Sequence, residues 1–87
     1  MFNAATENQM SQASQCREMV ANGQADTLLQ AMSGMLRTVG FTAMAEEIKG
    51  ERDFSRLQQY ARIIIKNACD GKSKPQILAR FQLLGLI

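Results

Sequence analysis

Between Asp26 and Gly40 six large apolar residues, Leu28, Leu29, Met32, Met35, Leu36 and Val39, recur at i, i+1, i+4, i+7, i+8 and i+11. Successive side chains are about 100° apart on a helix, so all six share one face; on a strand they would divide between two. The segment therefore specifies a helix whose apolar stripe has to be covered by another element. Asp26 stands where an N-cap is wanted, and Gly40 where a chain leaves a helix in the left-handed conformation. Gly34, in the middle, costs about 1 kcal/mol relative to alanine.

The remaining segments supply partners of the same kind. Thr6-Glu7-Asn8-Gln9 reads as a capping box, followed at helical spacing by Met10, Ala13, Cys16, Met19 and Val20; this predicts a first helix to Asn22 that stops at Gly23. Thr42 is placed to cap a short helix, Ala43 to Lys49, that buries Met44 and Ile48 and ends at Gly50. Asp53 is placed to cap a long one, on which Phe54, Leu57, Ala61, Ile64, Ile65 and Ala68 form the apolar face before Gly71. Ser73-Lys74-Pro75-Gln76 joins a capping-box pattern to a first-turn proline, and opens a last helix that Gly85 closes, with Leu86 reaching back to Phe81. No alternating run predicts a strand. The expectation is an all-α fold, a compact bundle of about five short helices forming one domain over 1–87, with residues 1–6 flexible.

A chain of 87 residues buries roughly 60–65 % of its unfolded surface, which gives a thin core and modest stability. With 46 % hydrophobic and 21 % charged residues the composition is that of a globular domain and not of a disordered tail, and apolar runs such as Ile63-Ile64-Ile65 are far too short to span a bilayer. The start, Met1-Phe2-Asn3-Ala4-Ala5-Thr6-Glu7, has neither the basic nor the apolar region of a secretory signal, so a cytoplasmic location is expected. Cys16 and Cys69 form no CxxC pair and the chain has no histidine, which leaves a zinc set incomplete. Two buried reduced thiols are expected, with a disulfide only if the protein is exported.

Parts for catalysis are missing as well. Without histidine, with Tyr60 as the sole tyrosine and no thiol beside a base, no nucleophile–base pair or neutral-pH proton shuttle assembles from neighbours, so neither an enzyme nor a cofactor is expected. Glu46 and Glu47 are adjacent on a helix and diverge by about 100°, which suits a solvated face better than a carboxylate dyad. Gly71-Lys72-Ser73 resembles the end of a P-loop, but the first glycine of that motif would fall at Lys66, inside a helix.

Charge raises nucleic-acid binding as an alternative. Residues 1–50 carry three basic and five acidic side chains, residues 51–87 seven basic and three acidic. Arg52, Arg56, Arg62 and Lys66 fall within a stripe of roughly 120° on the long helix, a basic face able to meet phosphate or only solvent. A helix-turn-helix reading fails in two registers. With Gly40 as the turn glycine, Glu46 and Glu47 of the reading helix repel phosphate and Leu36 occupies a position that wants a small residue; with Gly85, no second helix follows. Four phenylalanines and one tyrosine are not interleaved with basic residues for stacking single strands.

Four apolar residues sit where the helical pattern has no use for them. Ile63 falls in the polar stripe among Arg56, Gln59, Arg62 and Lys66, and is expected to be exposed in a lone monomer. Leu83 falls off the face made by Ile77, Leu78, Phe81 and Leu84. Leu86 and Ile87 follow Gly85 and require docking on this chain's own core, on a second copy or on a partner. Apolar anchors rimmed by arginine are what interfaces contain, so Ile63, Leu83, Leu86 and Ile87 are the candidate partner-binding or oligomer residues, and a homo-oligomer is expected.

The short chain of five helices, its basic second half and the segment Asp70-Gly71-Lys72-Ser73-Lys74-Pro75-Gln76-Ile77-Leu78-Ala79-Arg80-Phe81-Gln82-Leu83-Leu84-Gly85-Leu86-Ile87 resemble, in size and layout, the small antirepressors of temperate bacteriophages. The resemblance implies a protein partner that is itself a DNA-binding repressor or regulator, blocked or displaced without chemistry. A small nucleic-acid-binding regulator using the basic face, and a structural or assembly component, are the other classes the sequence leaves open.

Overall fold

The stripe over 26–39 turns its middle to the core and stays half-covered at Leu28, Met35 and Val39. The computed structural model describes the backbone of residues 4–68 and 71–87 and the side chains of 12–68 and 71–87. Within it the chain forms α1 (Ala4–Ala21), α2 (Asp26–Thr38), α3 (Thr42–Ile48), α4 (Phe54–Asn67) and α5 (Lys74–Leu83), and the described residues contain no strand. Leu29, Met32 and Leu36 of α2 are buried, while Leu28 and Met35 pack at the edge of the same cluster. The core adds Cys16 and Val20 from α1, Ala45 and Ile48 from α3, Leu57, Tyr60, Ala61 and Ile64 from α4, and Phe81 from α5. Among the described residues no helix is long and apolar enough to cross a membrane.

Helix ends follow the sequence signals with informative exceptions. Asp53 caps α4, its Oδ1 accepting from the Ser55 N–H at 2.9 Å. Gly40 adopts φ +95°, and the Phe41 N–H donates to the Leu36 carbonyl, so α2 ends in a Schellman turn. Asp26 is the first residue of α2 and not its cap; that position is held by Ala25, and Asp26 acts on the helix as a first-turn charge. Likewise α3 starts at Thr42 with Phe41 before it. The capping box expected at Thr6 lies past the start of α1, and its side chains are outside the described residues.

Two expected faces shift. In α3 the buried pair is Ala45 and Ile48, with Met44 half-buried, because α2 approaches closely enough for the Ser33 hydroxyl to donate to the Ala45 carbonyl at 2.6 Å. Only a small side chain fits at that closest point. On α4 Tyr60 belongs to the core, its hydroxyl donating to Glu47 Oε2 at 3.4 Å. Including Tyr60 turns the buried face toward Ile63, which is half-buried and packed against the core instead of standing exposed among the arginines. The helix also stops at Asn67, four residues before Gly71: the Asn67 amide donates to the Ile63 carbonyl at 2.8 Å, and Ala68 is already extended at ψ 117°.

The turn after α5 is held from several sides. Gly85 has φ +77°, the Leu86 N–H donates to the Phe81 carbonyl at 2.8 Å, and both side chains are buried. A Cβ on Gly85 would stand 3.0 Å from the Ala13 Cβ, so both the conformation and the contact with α1 require glycine. The Gln58 amide donates to the Gly85 carbonyl at 3.0 Å, and Phe54, whose ring carries the Arg17 guanidinium at 5.1 Å, closes the other side.

Candidate interaction surface

The four apolar residues that break the helical pattern do not form one patch. Leu86 lies in the chain's own core at 1 % exposure, and so offers no surface to a partner. Ile63 and Leu83 are half-buried, whereas Ile87 is 45 % exposed. Position off the apolar face marked Ile63 and Leu83, and position after Gly85 marked Leu86 and Ile87; the core side of the Schellman turn separates those two.

The basic stripe is also redistributed. Arg52 precedes α4 and leaves its face, laying its guanidinium over Gly23 at the end of α1, with Nη2 2.9 Å from where a Cβ would be. Arg56 pairs with Glu51 at 3.1 Å; a hydrogen bond to Tyr60, and then the charge of Glu51, raise its pKa further above the ordinary guanidinium value. Arg62 and Lys66 are exposed on α4. Elsewhere Arg37 and Lys49 both pair with Glu46, which fastens α2 to α3. Of the four-residue stripe, only Arg62 and Lys66 thus remain side by side on α4 without a carboxylate partner among the described residues.

What the helices leave open is a furrow between α2 and α5, which both pack on α4 but flank a gap. One concavity of about 1030 Å³ is lined by Ala31, Gly34, Met35, Thr38 and Val39 of α2, the end of α4 at Ile64, Asn67 and Ala68, and Ser73 and Ile77. A second, of about 460 Å³, continues from Ala31 past Thr27 and Leu28 to Cys16 and Met19 of α1, with Arg80 and Leu84 on the α5 wall. Thr27, Ala31, Gly34 and Thr38 are exposed and follow one another at helical spacing, so a strip of small residues runs along the α2 wall. Met19, 44 % exposed, lies at one end. Burial pushes the Cys16 thiol pKa up, so this sulfur stays protonated and unreactive at neutral pH.

Of the furrow residues, the sequence singled out Gly34 as a cost without assigning it a use. The strip Thr27, Ala31, Gly34, Thr38 was legible as small residues at i, i+4, i+7 and i+11, but only the position of α5 turns it into a wall. No protein-family model matches this chain, and no curated protein or solved structure is significantly similar to it.

Proposed function

We propose that this chain is a small non-enzymatic regulatory protein that binds another protein, a transcriptional repressor or regulator, and blocks or displaces it in the manner of an antirepressor. The observation that carries the reading is the open apolar furrow between α2 and α5, in a molecule where three of the six arginines, Arg17, Arg37 and Arg56, are engaged with its own Phe54 ring, Glu46 and Glu51. A surface of that kind matches a protein partner better than a polyanion, because phosphate binding draws on cations not already paired. In this reading the protein acts in the cytoplasm as a homo-oligomer, with Ile87 as the exposed apolar contact between copies.

The test is direct. The chain tagged at its N-terminus, so that Leu83 to Ile87 carry no added residues, is used to capture its partner; the partner is then purified, titrated with the untagged chain, and followed on its DNA site. Release of the regulator from DNA at stoichiometric amounts of this protein is the expected result. Tight, salt-sensitive binding of the purified chain itself to duplex DNA, weakened by charge reversal at Arg62 and Lys66, would overturn the reading in favour of a nucleic-acid-binding regulator.

A further inference from the structure

We infer that the occupant of the α2–α5 furrow is an acidic amphipathic α-helix presented by the partner; the inference rests on the protein-binding reading and specifies its chemistry. Gly34 gives the first reason. It lies inside α2, where glycine weakens a helix, yet a Cβ built there meets nothing within 4 Å, so no contact within the described chain calls for its absence. A glycine without an internal use, in a strip of small residues on the wall of an apolar groove, suits the close approach of a second backbone. The size agrees, since the 13 residues of α2 make a wall about 20 Å long, three to four turns of a bound helix.

Charge selects the kind of helix. No carboxylate lines either concavity among the described residues, and Arg80 stands on the α5 wall. The α5 segment that supplies this wall also carries Lys74 in its first turn and has no acidic side chain. Glutamates flanking the apolar face of an incoming helix therefore meet favourable potential. A two-fold dimer joined furrow to furrow would bring the Arg80 side chains of both copies to one interface, so like charges disfavour that occupant.

Two labelled 16-residue peptides of high helix propensity serve as probes, with leucines at i, i+3, i+4 and i+7 and flanks of glutamate in one and lysine in the other. Titrated against the full chain by fluorescence anisotropy, the glutamate peptide is expected to bind at least tenfold tighter. Ala31→Trp, which fills the junction of the two concavities, and Arg80→Glu are each expected to weaken it at least tenfold; Gly34→Leu, at an open position, is a second blocking variant should Ala31→Trp alter the melting temperature. Equal binding of both peptides, no binding of either, or indifference to the blocking variants would overturn the inference. A concentration-dependent dimer of the protein alone that Ala31→Trp abolishes would overturn it too, placing a second copy in the furrow. The captured regulator distinguishes the two levels: if it binds Ala31→Trp as well as the wild type, the furrow assignment falls and the protein-binding reading stands.

Discussion

Leu86 and Ile87 are neighbours with opposite environments, and the difference comes from one backbone conformation. The left-handed turn at Gly85 sends Leu86 back onto Phe81 and leaves Ile87 at the surface. Leu86→Ala is therefore expected to cost about 2–5 kcal/mol by urea denaturation, and Ile87→Ser to stay within about 0.5 kcal/mol of wild type. Gly85→Ala is expected to cost about 1–2 kcal/mol from the left-handed conformation alone, plus the crowding against Ala13. The turn and the return of Leu86 to Phe81 were legible because Phe81, Gly85 and Leu86 have the spacing a Schellman motif requires; the exposure of Ile87 was not, since nothing in its own side chain says whether another element covers it. Cys16 adds a pH dependence. Its pKa is raised above 9.0 by burial, so the folded state holds the thiol proton more tightly than the unfolded one. The contribution is complete below that value and lost as pH rises through the raised folded-state pKa. The stability difference between wild type and Cys16→Ala, measured by urea denaturation from about pH 7 to about pH 10.5, is expected to move in the variant's favour at the alkaline end.

At the level of elements, α2 carries two opposed demands. Its inner face supplies Leu29, Met32 and Leu36 to the core and Ser33 to the α3 backbone; its outer face supplies the small strip of the furrow. Ser33→Ala is expected to cost about 1 kcal/mol through the lost hydrogen bond to Ala45. Gly34→Ala is expected to stabilise the fold by about 1 kcal/mol, because the position is helical, exposed and open, and a gain seen by thermal melting would identify Gly34 as a residue retained at a stability cost. The helix periods made both segments readable. On α4 the face through Phe54, Leu57, Ala61 and Ile64 was legible and its width was not, because Tyr60 reads as amphipathic until Glu47 of α3 is found beside its hydroxyl, and its burial brings Ile63 in with it. Helix ends set by side-chain competition, such as Asn67 taking the Ile63 carbonyl, were hidden for a similar reason: asparagine signals a terminus only when its partner carbonyl lies within reach.

The furrow belongs to the whole molecule and to no single segment. It exists because α2 and α5 are both anchored on α4 without closing on each other, so neither a stripe nor a motif announces it, while the paired state of Arg37, Lys49 and Arg56 becomes visible only when α3 and the Glu51 loop are in place. The central claim is that this chain offers an apolar groove to a protein helix and not a basic face to nucleic acid. Amide chemical-shift mapping of the labelled full chain at about 0.15 M salt, titrated in parallel with the glutamate-flanked peptide and with duplex DNA, tests it most directly. The account predicts peptide-induced shifts centred on Ala31, Gly34, Met35, Ile77 and Arg80, and no saturable shifts with DNA; saturable DNA-induced shifts centred on Arg62 and Lys66, with the furrow amides unmoved by the peptide, would contradict it.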